Sequence, residues 1–288
     1  MTPVALALVL LSAVAHASWN LCAKRAGGGA RFIWLFNSLS LLIYAPLAVA
    51  VVVFQRPQVG PVELLFMFGS GVLHLGYFLL LQRGYGVGDL SLVYPLARGT
   101  GPLIATAAAI VLFGERPTLL AISGVVLITA GVFLLAGYPG ALKGSGLRLN
   151  LGVAYGLLTG ASIAAYTLWD KHAVSALLIP PLLQNWSATL VSVAALTPLA
   201  LRSREKVVAV WRGYRSEVLG VALLTPLSYI LVLTALISAP VSYVAPAREV
   251  SILIGTAMGA RLLAEGDAKR RLFAAGAVVL GVVALALG

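Results

Sequence analysis

The chain has 288 residues, 60% of them hydrophobic and 10% charged, with a formal net charge of +11. Soluble domains are about 25% charged, so this composition, with a mean hydropathy of +1.00, excludes a soluble enzyme or binding module and points to a polytopic membrane protein. One cysteine, Cys22, excludes an intrachain disulfide and a cysteine-based metal cluster.

A helix needs about 20 apolar residues to cross the hydrocarbon core. Ten such runs can be placed, at 2–23, 31–54, 62–84, 90–113, 118–137, 149–170, 180–201, 217–238, 241–262 and 270–287. The first run ends in Ala15-His16-Ala17, which resembles a signal-peptidase site, but no positive segment precedes it. It is therefore expected to be retained as the first helix. Gly and Pro mark the joints, as at Gly60-Pro61, Pro117, Pro139-Gly140, Pro180-Pro181 and Pro240. Basic residues cluster in the short loops between runs, as membrane insertion requires, so the positive charge does not imply a nucleic-acid partner.

One unit occurs twice. Tyr94 to Gly131 and Val244 to Gly281 share a pattern in which Arg98 and Arg248, Thr106 and Thr256, Glu115 and Glu265, and Gly131 and Gly281 are each 150 residues apart. The same offset relates His16, Trp19 and Asn20 to Tyr166, Trp169 and Asp170; an offset of 152 relates Trp34, Ser40 and Pro46 to Trp186, Ser192 and Pro198. Fixed-period self-similarity is the signature of a duplicated unit. The expected fold is an all-α membrane protein of ten transmembrane helices in two inverted five-helix repeats. Residues 1–137 form the first repeat, 138–148 the connecting loop and 149–288 the second repeat, together one membrane domain. An odd helix count makes the second repeat enter from the opposite side, the arrangement of many secondary transporters. Fifteen Lys and Arg residues fall on one side; Arg56, Arg116 and Lys171 fall on the other. Positive charge stays inside, so both termini are expected outside.

Trp19-Asn20 and Lys24 in the first run, with Gly114-Glu115 and Ala264-Glu265 closing the fourth and ninth, carry a resemblance to the drug/metabolite transporter superfamily. Across essentially the whole chain the sequence resembles its two-domain, ten-helix exporter branch, most of all bacterial aromatic amino-acid exporters. The resemblance implies a multi-pass protein of a bacterial-type inner membrane that exports small organic solutes, most closely aromatic and other neutral amino acids, by alternating access. A sugar-phosphate or drug/metabolite transporter of the same fold is the alternative, and a membrane-embedded enzyme a more distant one.

Arg98 and Arg248 are the first candidates for solute contact. Each lies about eight residues into its run, or roughly 12 Å at 1.5 Å per residue, near the middle of a hydrocarbon core about 30 Å thick. An arginine there needs a cavity or a bonding partner, and its planar fork suits a carboxylate or phosphate. Glu249 is the carboxylate well inside a run; it could meet a substrate ammonium, carry a proton, or bond across to Arg98. His74, Tyr77 and Phe78 share a face of the third run, and Tyr94 shares one with Arg98. Trp19, Tyr166, Trp169 and Tyr243 complete the candidate aromatic lining, suited to a zwitterion with an apolar or aromatic side chain. A central cavity lined by runs one, three, four, six, eight and nine is expected, with runs five and ten outside. Asp170 beside Lys171 reads as a solvated interface charge, Trp34 and Trp186 as interfacial belt residues, and Glu115 and Glu265 as structural ion-pair partners. No P-loop, metal-ligand spacing or Ser-His-Asp set is present, so no nucleotide drive, cofactor or metal is expected. The expected partners are a small-molecule substrate and the lipid bilayer, and the expected state is a monomer.

Overall fold

A computed structural model of the protein describes residues 1–26, 29–87, 90–135, 147–260 and 268–288. The described residues form helices α1 (Pro3–Arg25), α2 (Ala30–Gln55), α3 (Pro61–Val87), α4 (Leu90–Phe113), α5 (Leu119–Leu135), α6 (Leu147–Ser175), α7 (Pro181–Leu201), α8 (Arg204–Gly213), α9 (Arg215–Ser238), α10 (Val241–Ala247), α11 (Val250–Ala260) and α12 (Ala268–Leu287), and no strand. Six of them, α1, α2, α3, α4, α6 and α9, are long and apolar enough to cross a membrane. Lipid offers no hydrogen bonds, so spanning segments must satisfy their backbone internally, which helices do.

Local chemistry sets the helix ends. Thr2 accepts the amide of Ala5 at 3.2 Å and precedes Pro3, a capped start with proline in the first turn. Arg56 ends α2 in the left-handed region, at φ 45°. Glu63 in the first turn of α3 accepts the Gly60 amide at 2.8 Å.

Every apolar run read from the sequence coincides with a helix, with two differences. The stretch between the seventh and eighth runs folds into α8, whose Trp211 packs on α2 and α9 and carries the Arg215 guanidinium 5.8 Å above its ring. The ninth run is two helices. Pro246 has no N–H and its ring blocks the preceding turn. The chain passes Arg248 and Glu249 on tightened bonds, Glu249 N to Pro246 O at 3.0 Å and Ile252 N to Glu249 O at 2.9 Å, before α11 begins.

Close packing follows the small residues, because in lipid van der Waals fit replaces the hydrophobic effect between helices. A Cβ on Gly124 of α5 would stand 2.6 Å from the Gly281 carbonyl oxygen of α12, and one on Gly131 2.9 Å from that of Ala274. Helices α4 and α6 meet at Gly101, Gly156 and Gly160 in the same way. The other extensive pairings are α1 with α9, α3 with α6, and α2 with α7. Helices α2 and α7 exchange indole bonds: Trp34 donates to Thr197 Oγ1 at 3.0 Å, and Trp186 donates to Leu41 O at 3.1 Å. These tryptophans, read as belt residues, also bond helix to helix. Helices α5 and α12 touch α10 as well as one another. The main apolar core lies between α1, α4, α5, α6, α9 and α10.

Candidate functional site

The break between α10 and α11 places two charged side chains within the apolar interior. Arg98, from the first half of α4, reaches it from the other half of the chain. Its Nε stands 3.0 Å from Glu249 Oε2, with the two side chains 7% and 5% exposed. Its Nη2 donates to Ser251 Oγ at 3.3 Å. Among the described residues this is the one ion pair within 4.0 Å. Arg98 was expected to offer its guanidinium to a solute; in this structure it is neutralised by Glu249, the interhelical alternative weighed for that carboxylate.

Arg248 differs. Adjacent helical residues project about 100° apart, so Arg248 turns away from the pair. Its guanidinium lies 5.5 Å above the ring centre of Tyr229, a cation–π arrangement, and the residue is only partly buried.

Tyr229 belongs to an aromatic cluster between α3, α6 and α9. His74 stacks on Tyr166 with ring centres 4.2 Å apart and meets Tyr229 edge-on at 5.1 Å. Tyr77 meets Tyr166 edge-on at 5.8 Å. His74 Nδ1 lies 2.8 Å from the Ser70 carbonyl, which can only accept, so this nitrogen donates. Four rings and one guanidinium thus sit together where α3, α6 and α9 meet the helix break.

On the other side of Tyr229 lies a group read differently from the sequence. Asp170 was expected as a solvated interface charge, but it is 0% exposed. Its Oδ1 accepts from Gln184 Nε2 at 2.9 Å and its Oδ2 accepts from the Tyr229 hydroxyl. The neighbouring Lys171 turns away to the carbonyls of Leu236 and Ala239, at 2.7 and 3.2 Å. Its apparent proximity in sequence misled: successive side chains leave a helix in different directions. The matched pair Tyr166 and Asp170, one turn apart, was the available signal, since that spacing puts both on one face.

The remaining candidates are spread more widely. Trp169 stacks on Phe66 at 4.2 Å and donates to Phe66 O at 2.8 Å, beside His172, against α3. Trp19 meets His16 edge-on at 4.8 Å and packs with Cys22 and Phe32; its Nε1 is buried without an acceptor. Tyr243 is 7% exposed within the main apolar core. Tyr94 and Phe78 are partly buried on α4 and α3. Glu115, expected in an ion pair, instead accepts the backbone amides of Val241 and Ser242 at 2.7 and 2.9 Å, holding the start of α10. Glu265 lies outside the described residues.

Residues 3–137 match the EamA-like transporter family. That family consists of membrane transporters, and the matched segment spans α1 to α5 of this multi-pass, helical chain. No curated protein matches the sequence. A solved crystal structure aligns over 98% of this chain and 98% of its own length, with a TM-score of 0.72 and 13% sequence identity. At that identity the likeness is one of fold alone, extending through both the EamA-like half and the half beyond it.

Proposed function

We propose that this protein is a secondary transporter of a bacterial-type inner membrane, moving small carboxylate-bearing organic solutes, of which neutral and aromatic amino acids fit best. The observation that carries the substrate class is Arg248. It is partly buried, has no carboxylate on it among the described residues, and stands over the ring of Tyr229, which in turn meets His74 and Tyr166 edge-on. A carboxylate would bind its fork and an apolar or aromatic side chain the rings. A sugar-phosphate reading is less well served, because Glu249 already occupies Arg98 and leaves one guanidinium rather than two.

Alternating access between two inverted five-helix halves is the proposed mechanism. The packing of α5 on α12 supports it. Gly124 meets Gly281 and Ile128 meets Gly281, while Gly131 meets Ala274 and Val278. Adding 150 to one member of each contact and subtracting 150 from the other turns the first pair of contacts into the second. Contacts that exchange in this way are what a pseudo-two-fold axis produces. With five apolar runs per half, the axis lies in the membrane plane and the solute site near the midplane. The protein works as a monomer with its termini outside.

Purified protein in liposomes tests this. Counterflow of labelled Trp, Phe or Thr is expected, with little for a sugar phosphate. Flux of the sugar phosphate and not of the amino acids overturns the substrate class; turnover of a lipid with no solute flux overturns the transporter reading itself.

A further inference from the structure

Asp170 and Gln184 form a group that neither the packing nor the ion pair at Arg98 explains. Both side chains are 0% exposed. A carboxylate sealed from water among neutral donors is costly unless it is paired with a cation, and among the described residues no Lys, Arg or His lies within 4.0 Å of Asp170. The second observation is on Gln184: its Oε1 is buried with no hydrogen-bond donor. A buried amide oxygen left open calls for a donor. The two oddities sit on the same pair of side chains, and a proton on Asp170 would give Oε1 its donor.

We propose that Asp170 is a reversible proton-binding site and that the Gln184 amide turns over to serve both of its protonation states. In the observed arrangement Gln184 Nε2 donates to Asp170 Oδ1, the bonding that a carboxylate accepts. When a proton binds Oδ1, the carboxyl becomes a donor, and the amide rotated by half a turn presents Oε1 to receive it. Tyr229 donates to Oδ2 in both states. The rotation withdraws Nε2 from Phe66 O, a 3.3 Å contact, but that carbonyl keeps the Trp169 indole N–H at 2.8 Å. The observed amide makes two bonds through Nε2 and the rotated one makes a single bond through Oε1, so without a proton on Asp170 the observed arrangement is favoured. Proton occupancy decides between them.

The groups around Asp170 fix the consequence. On its own helix stand Tyr166, Lys171, whose ammonium is on the carbonyls of Leu236 and Ala239, and His172, which stacks on Phe66. From α3 come His74 and Tyr77, from α4 Arg98, from α9 Tyr229, and from the helix break Arg248 and Glu249; α7 brings no titratable side chain. Arg98 and Glu249 cancel one another. Arg248 is left facing the Tyr229 ring, and the hydroxyl of that ring is bonded to Asp170. A proton on Asp170 removes the negative charge on the far side of this ring and makes the site one unit more positive. Given the transporter reading above, an anionic solute group at Arg248 and a proton at Asp170 therefore bind cooperatively and move in the same direction.

The proton site is tested without any solute. Infrared difference spectra of the detergent-purified protein, taken between mildly alkaline and mildly acidic buffer, should show a protonated-carboxyl band that is missing in Asp170→Asn. In Gln184→Leu the band should persist but shift in frequency, because the acid has lost its amide acceptor; this variant serves if Asp170→Asn does not fold. A spectrum identical in wild type, Asp170→Asn and Gln184→Leu overturns the proposal. The coupling is then read in liposomes: apparent affinity for labelled Phe should tighten several-fold as pH falls in the wild type and stay constant, at the acid-side value, in Asp170→Asn. The same pH dependence in the variant refutes the coupling. A carboxyl band without flux of any solute leaves the proton site standing and removes the transporter reading instead.

Discussion

Replacing Glu249 by alanine strands the Arg98 guanidinium in a place where it has little else to bind. The pair is 3.0 Å apart, with both side chains at most 7% exposed. At an effective dielectric constant of about 20, unit charges at that distance attract by roughly 5 kcal/mol. The attraction is offset by the cost of removing both ions from water, but breaking the pair forfeits it while the remaining ion stays desolvated; such losses run at about 3–5 kcal/mol. Ser251 Oγ, at 3.3 Å, is one neutral acceptor and cannot replace a carboxylate. Arg98→Ala should cost a similar amount by leaving Glu249 alone. Arg98→Met combined with Glu249→Leu should recover most of the loss, because two apolar side chains leave no buried ion behind. Unfolding of the purified variants and of the single Arg98→Met and Glu249→Leu proteins, followed in the same detergent by denaturant titration, gives all corners of this cycle. If either single variant unfolds within about 0.5 kcal/mol of the wild type, the range of an ordinary surface change, the pair is not the sealed contact described here. If the double variant is as unstable as the two singles added together, the two residues do not act as a pair.

Arg248→Lys keeps the charge but loses the fork; losing one charge-assisted bond, worth roughly 1.5–3 kcal/mol, should weaken apparent affinity for amino acids by about one to two powers of ten. The amide of the same amino acid should be carried equally by wild type and variant, and equal transport of the acid itself would show that Arg248 does not hold it. Glu115→Ala removes two acceptor contacts from the start of α10 and should destabilise by roughly 1.5–3 kcal/mol, measured by unfolding, with Glu115→Gln intermediate. Gly124→Leu should prevent α5 from closing on α12, since its Cβ would meet the Gly281 backbone oxygen at 2.6 Å; loss of monodispersity in detergent is the readout, and an unchanged protein would mean the helices have room. Cysteines placed at positions 2 and 287 should react with an impermeant reagent in intact cells if the termini lie outside; labelling only in opened cells reverses the orientation.

The helices themselves were legible in the sequence, because lipid imposes a length and an apolarity that twenty residues display without help from the rest of the chain. The constant offset between Arg98 and Arg248, and between Gly131 and Gly281, likewise belongs to the sequence alone, because it stands whatever those residues touch. What each polar side chain meets was decided only by tertiary structure. Arg98 and Arg248 look alike in sequence, yet one is closed on Glu249 and the other rests over Tyr229, because Pro246 and the turn after it break α10 from α11 while α4 runs on unbroken past Pro95. Asp170 looked like a surface charge beside Lys171. The bonding partners that reveal it as buried, Gln184 and Tyr229, come from other helices, 14 and 59 residues further along the chain. Periodicity reports the face on which a residue stands; which neighbour that face meets depends on how the helices are arranged around it, and that is a property of the packed bundle rather than of any one run.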